Sequence, residues 1–276
     1  MNLSRYKLFV FDELDSTNLE AIRMAKNNKP NRDHIILAKS QTTGRGRSGK
    51  NWQSTSGNLH ASLLIKPNKE LELLPQLSFV TALAVYDSVN ALCHPRVGWN
   101  PVKNQSHSDK DLYNNSSNIF LDSRKSGNDI IHLKWPNDVL VGGKKISGIL
   151  LESVKVEEAY YLIIGVGINI TYHPINIDQP TTSLVDEELP VITPKALLAI
   201  LIENFEKYYQ IWEKNGFSFI REKWLKHAYK LDENISVKYQ NDIVTGTFQG
   251  IDSIGRIILQ LPSKKILSFS TAELSF

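Results

Sequence analysis

Apolar and aromatic residues from Lys7 to Phe11 give way to Asp15, Ser16, Thr17 and Asn18, after which Leu19, Ile22 and Ala25 recur at helical spacing. The pattern predicts a strand, a turn and a helix, with Thr17 and Glu20 at the spacing of a capping box. A second strand is expected at 34–38 and a third at 59–65. There Leu59, Ala61, Leu63 and Ile65 alternate with other residues in the manner of a strand half-buried in a sheet. Pro75 is expected to open a long helix whose Leu77, Val80, Leu83, Ala84 and Val89 form one core-facing stripe.

From about 97 to 129 the periodicity is diluted by Asn, Ser and Lys, and this stretch is expected to be a flexible insertion. Apolar order returns at 130–133, followed by Lys134-Trp135-Pro136-Asn137-Asp138 and a Gly142-Gly143 turn into a strand at 146–154. Another strand at 160–170 is punctuated by Gly165 and Gly167. Thr193 and Pro194 make a good N-cap and first-turn pair for a helix carrying Leu197, Leu201, Phe205 and Tyr209 on its buried side. After about Tyr229 the pattern changes to short alternating pieces separated by Gly246, Gly250 and Gly255. The reading is an α+β fold. A mixed sheet covered by helices spans 1–228, and a small C-terminal β-barrel spans 229–276.

The composition narrows the function. No apolar run approaches the ~18 residues that would span a bilayer, and the N-terminal apolar stretch is too short for a signal peptide. With Cys93 as the single cysteine, the expectation is a cytoplasmic protein, its thiol a small buried hydrophobe. A formal charge of +3 is too small for a nucleic-acid coat, so basic chemistry has to be local. It is concentrated in Gly44-Arg45-Gly46-Arg47-Ser48-Gly49, which matches the dinucleotide fingerprint and nearly matches a phosphate-binding loop. Both of those motifs require a helix directly after the loop, and here Asn51 to Asn58 is a run of turn formers. What remains is a glycine loop with two guanidinium forks suited to carboxylate or phosphate, beside Trp52, an aromatic able to stack on a purine.

Taken in order, Ser16-Thr17-Asn18, Gln41 leading into Gly44–Gly49 and Trp52, Lys134–Asp138, Lys145-Ile146-Ser147-Gly148 through Glu152, and Gly165-Val166-Gly167-Ile168-Asn169 resemble the motif set of biotin protein ligases. The resemblance covers essentially the whole chain. It implies a class II synthetase-like catalytic domain with an SH3-like C-terminal barrel. It also implies a two-step reaction in which biotin and MgATP form biotinyl-5′-AMP, and the biotinyl group then passes to a lysine of a biotin carboxyl carrier domain. ATP and Mg2+ are the implied cofactors and biotin the substrate, with room for a homodimer and no role for a membrane.

By the same resemblance, Lys145, Arg45, Arg47 and Lys134 carry the catalysis. A carboxylate attacking an α-phosphate brings negative charges together, and cations must neutralise both. Ser16, Thr17, Asn18, Gln41, Gly46 and Gly148 join Arg45, Arg47 and Lys145 around biotin, whose ureido ring needs donors and acceptors. Gly44, Gly49, Trp52, Asn137 and Asn169, again with Arg47, are assigned to ATP and the adenylate, and Asp138 to magnesium. The first strand begins within ten residues of Met1, so the helix-turn-helix of repressor-type members is not expected, nor is DNA binding. The C-terminus, Glu273 to Phe276, lacks the basic residue that some relatives place near the nucleotide. Lipoate protein ligase and a non-catalytic biotin sensor remain as alternatives.

Overall fold

The structure is a computed structural model and describes residues 5–28, 30–93, 131–175, 177, 179–240, 242–270 and 272–275. The insertion expected at 97–129 lies outside the described residues. In chain order the elements of the larger part are β1 (Tyr6–Leu14), α1 (Thr17–Asn28), β2 (Asp33–Gln41), β3 (Leu59–Ile65), α2 (Leu77–Cys93), β4 (Ile131–Lys134), β5 (Asp138–Val141), β6 (Lys144–Val156), β7 (Ala159–Ile168), α3 (Pro194–Asn215) and α4 (Ser218–Leu225). A seven-stranded sheet runs β1-β2-β3-β7-β6-β5-β4. Its β1 and β2 are parallel and joined through α1, and the remaining neighbours are antiparallel. This is the expected mixed sheet.

Helices cover both faces of its centre. Ile36, Leu64 and Ile163 pack with Ala21, Met24 and Ala25 of α1, while Ile35, Leu63 and Ile164 belong to the larger core with α2 and α3. The expectation of a half-buried β3 therefore fails: all seven of its residues are buried, because a strand sandwiched between helix layers has no solvent face. The single stripe expected for α2 fails for a related reason. Its packing against the sheet, α3 and α4 buries most of its circumference. The helix starts at Leu77, with Pro75 in the preceding 3-10 turn.

Other local expectations divide in the same way. Gly142 and Gly143 have φ of 57° and 78° and close the β5–β6 hairpin, where both central residues must be left-handed. Thr193 accepts from Ala196 N at 3.2 Å and caps α3 as expected. The Thr17–Glu20 capping box does not form. Thr17 turns its N–H and hydroxyl to Gln41, and Glu20 pairs with Arg23. Helix α4 was not announced by the apolar pattern.

The C-terminal strands β8 (Asn234–Tyr239), β9 (Asp242–Ile251), β10 (Ile257–Gln260), β11 (Ile266–Phe269) and β12 (Glu273–Ser275) form an antiparallel sheet in the order β11-β10-β9-β8-β12. Among the described residues the ladders join these five strands into one sheet, and none links β11 to β12. Trp135 Nε1 donates to Gly255 O at 2.9 Å and Arg221 Nε to Ile251 O at 2.5 Å, and residues of both sheets share one apolar core. No described helix is long and apolar enough to cross a membrane.

Candidate active site

The strand ends and loops that follow from this topology surround one cavity of about 1250 Å3. Its walls come from the start of α1, the loop after β2, the β4–β5 turn, β6, β7 and, across from them, the β8–β9 hairpin with Lys238 and Tyr239. The loop after β2 is itself a small hairpin. Trp52 N donates to Gly44 O, Arg45 bridges Asn51, and Gly46 N donates to Lys50 O. Ser48 and Gly49, with φ of 54° and 75°, turn its tip.

Arg45, Gly46 and Arg47 face the cavity, but Gly44 and Gly49 do not. Gly49 serves the turn. Gly44 lets the two arms close, since a Cβ there would collide with Trp52 O and Ser54 Oγ.

At one end of the cavity a chain of polar side chains crosses from helix to sheet. Thr17 N and Oγ1 donate to Gln41 Oε1 at 2.7 and 3.1 Å, and Gln41 Nε2 donates to Ser54 Oγ at 2.7 Å. Ser62 Oγ lies 2.8 Å from Thr17 Oγ1 and 2.5 Å from Asn18 Oδ1. Asn18 Nδ2 donates to Glu152 Oε2 at 2.8 Å, and Glu152 Oε1 pairs with Arg45 Nη2 at 3.0 Å. Gly165 makes room for Asn18, whose amide occupies the space a Cβ would need. Ser16, Thr17 and Asn18 are all buried.

The other end holds the cations. Lys145 Nζ is 2.7 Å from Asp138 Oδ1 and 5.5 Å from the centre of the Trp52 ring. Trp52 lies on a floor made by Gly148 and Gly167, which face each other across β6 and β7. Arg47 Nη1 reaches Asn137 Oδ1 at 3.3 Å, and Asn137 is braced by Ile149, whose carbonyl accepts from Nδ2 at 2.6 Å. Lys134 lines the wall at the end of β4. Asn169 is buried and fastens the loop after β7, its Nδ2 donating to Thr182 O at 3.0 Å. Burial also pushes the pKa of His60, which pairs in register with Gly167, below its ordinary value.

The donor set for magnesium is thin. Lys145 takes one oxygen of Asp138, and Gln179 Nε2 approaches the other at 3.3 Å. Among the described residues no three acidic or imidazole side chains gather to hold a metal. Asp138 is here the counter-ion of Lys145, and a magnesium carried by ATP, which keeps phosphate and water ligands, would need no more than one such carboxylate from the protein.

Glu152 and Ser62 were missed by sequence reasoning, although the two-residue period of β6 puts Gly148, Leu150 and Glu152 on one face. Lys238 and Tyr239 had no local signal. They reach the cavity only because the C-terminal sheet docks beside it.

Residues 10–169 match the model of the biotin/lipoate A/B protein ligase family, and residues 230–276 match that of the biotin protein ligase C-terminal domain. The chain is 30% identical over 255 residues to biotin--[acetyl-CoA-carboxylase] ligase of Paracoccus denitrificans, covering 90% of this chain and 92% of that one. The chain belongs to this ligase family.

A ligase/repressor of Bacillus subtilis strain 168, described as bifunctional, is 29% identical over 95% of this chain and 72% of its own length. Among solved structures, biotin protein ligase from Aquifex aeolicus in complex with biotin and ATP superposes with a TM-score of 0.72 at 24% identity, covering 98% of this chain and 97% of that one. The biotin protein ligase of Leishmania major in complex with biotinyl-5-AMP gives 0.62 at 22% identity, covering 96% of this chain and 99% of that one. These two likenesses establish the fold.

Proposed function

We propose that this ligase activates biotin with ATP to biotinyl-5′-AMP and then transfers the biotinyl group to a lysine of the biotin carboxyl carrier domain of a carboxylase in the cytoplasm. The observation that carries the reading is the composition of one cavity: the neutral Ser16, Thr17 and Gln41 at one end, with Arg45 joined to that end through Glu152 and Asn18, and Arg47 and Lys145 at the other, the lysine beside the Trp52 ring. That division suits a ligand with a neutral ureido head and an anionic tail. The match of the C-terminal sheet to a biotin-specific domain favours biotin over lipoate. Residues 1–228 supply the chemistry, and 229–276 close one wall.

In the first step the biotin carboxylate attacks the α-phosphorus, an O–P bond forms and pyrophosphate leaves. Lys145 and the two arginines offset the charge that accumulates as carboxylate and phosphate approach. Asp138 holds the Lys145 ammonium in place between them. Thr17 and Gln41, already bound to each other, offer the ureido group a preorganised donor and acceptor set, and Ser16 adds to it. A magnesium bound with ATP, with Asp138 as its protein carboxylate, would lower the charge of the polyphosphate. In the second step the ε-amine of the carrier lysine attacks the acyl carbon, the bond to the phosphate oxygen breaks, and AMP departs as the amide loses a proton.

Mass spectrometry of a carrier domain incubated with the protein, biotin and MgATP tests the whole reading. One biotinyl group on one lysine is expected. Release of pyrophosphate without any modification of carrier would leave only the first step, and neither product would overturn the proposal.

A further inference from the structure

Beyond the end of β7 the chain leaves the sheet; the carbonyls of Asn169 and Ile170 accept from Leu184 N and Val185 N, and the N–H groups of residues 170–172 are taken up by one side chain. Asn58, buried at the start of β3, accepts on Oδ1 from the N–H groups of Ile170, Thr171 and Tyr172 at 2.9, 3.0 and 3.2 Å, and its Nδ2 donates to Tyr172 O at 2.8 Å. Gly57 beside it has φ 97° and lies so close to Thr171 that a Cβ would overlap the hydroxyl. The far end of the same loop returns to the catalytic lysine. Lys145 N donates to Pro180 O at 2.8 Å and Thr182 N to Lys145 O at 2.9 Å. Between these two attachments Pro174, Ile177 and Gln179 line the cavity, and Gln179 touches Asp138, the partner of Lys145.

We infer that Asn58 is a positioning residue for the nucleotide half of the site: by fixing residues 170–172 it sets where the loop lies against Lys145 and Asp138. The inference rests on the proposed ligase reaction. Its logic is geometric. With β7 ended, three adjacent N–H groups have no strand partner, and a single amide oxygen fixes all three along with the direction of the chain that follows. The polar cluster of Thr17, Gln41 and Ser62 shares no hydrogen bond with Asn58. The biotin end should therefore stay intact when the loop moves, and the nucleotide end should not.

Asn58→Ala removes every one of these bonds, and Asn58→Asp keeps the acceptor while losing the donor to Tyr172 O. In Asn58→Ala, KM for ATP and the release rate of biotinyl-adenylate are expected to rise about tenfold or more, a usual cost of misplacing a binding wall. The biotin dissociation constant should stay within about twofold, and Asn58→Asp should fall between. Hydrogen exchange of the unliganded protein at 170–175 should quicken in both variants, in the same order. Biotin and ATP affinities falling together, or ATP affinity unchanged in both variants, would overturn the inference. If Asn58→Ala does not fold, the same comparison in Asn58→Asp decides. Wild-type protein that forms no adenylate would instead sink the ligase reading, with the exchange result still reporting on the loop.

Discussion

Lys145 Nζ and Asp138 Oδ1 stand 2.7 Å apart, on neighbouring strands, with both side chains mostly withdrawn from solvent. Lys145 brings charge into the cavity, and Asp138 fixes where that charge sits. Forming the mixed anhydride requires a carboxylate to approach a polyphosphate, whereas the transfer step starts from a preformed acyl group and an amine. Lys145→Ala is therefore expected to slow adenylate formation more than transfer from supplied biotinyl-adenylate. Asp138→Asn should show the same preference at about a tenth of the wild-type rate, because the ammonium remains but loses its anchor. Single-turnover kinetics of the two steps check this. Equal losses in both would make Lys145 a general binding residue.

The Gly148–Gly167 floor makes a second, steric expectation. A methyl at Gly167 would overlap the indole of Trp52 at Cε2, Cζ2 and Nε1, whereas one at Gly148 lies 3.0 Å from Trp52 Cζ3 and 3.2 Å from the flexible end of Lys145. Gly167→Ala should cost about 1–3 kcal/mol in stability and displace the indole, and Gly148→Ala should cost less. Thermal melts and calorimetric biotin titrations separate the two. Adding Trp52→Ala to Gly167→Ala should recover part of the stability, and a strictly additive pair would show that the floor and the ring do not interact.

The resemblance carried by the order of motifs singled out Lys145, Arg45, Arg47 and Lys134, and the fold brings all four to one cavity, but the bonds that these side chains make could not be read along the chain. Asn18 was expected against biotin. It lines the cavity and is held there between Ser62 and Glu152, residues far from it in sequence, and only the meeting of α1, β3 and β6 creates those contacts. Gly44 and Gly49 were assigned to the nucleotide by the resemblance, and in the structure they shape the hairpin that presents Arg45 and Arg47 without lining the cavity themselves. Local patterns identified β3, the β5–β6 turn and the cap of α3. They misjudged the burial of β3 and α2, because one-faced periodicity cannot report a second covering layer.

His60 supplies a pH expectation. Burial lowers its folded-state pKa below the ordinary 6.5, with a hydrogen bond to Thr55 O opposing the shift, and His227 is lowered in the same direction, chiefly by burial. Below about pH 6.5 the unfolded chain binds these protons more readily than the folded one. The stability they contribute is thus present above that pH and falls on acidification through it. Asp15, held at about 2 by Arg23, acts in a separate window, losing its contribution only as the pH drops from about 4 toward 2. Tm measured from pH 8 to pH 5 should decline in the wild type and decline less in His60→Gln. Parallel curves would show that His60 does not titrate between the two states.

Glu152 joins two functions that substitution can separate. One oxygen pairs with Arg45 and the other accepts from Asn18. Glu152→Gln can still accept from Asn18 but no longer balances the guanidinium. Because Arg45 is 41% exposed, the lost ion pair should cost less than about 1 kcal/mol in stability. Biotin affinity, which depends on the α1 side of the network, should be nearly unchanged, while adenylate formation slows as Arg45 loses its orientation. Glu152→Ala removes both contacts and leaves the Asn18 amide without its acceptor, so biotin affinity should fall as well, by about 1–3 kcal/mol. Calorimetric binding of biotin alone, set beside pyrophosphate release at saturating substrates, measures the two effects independently. If the two variants lose biotin affinity equally, the charge on Glu152, and not the Asn18 contact, organises the polar end of the cavity.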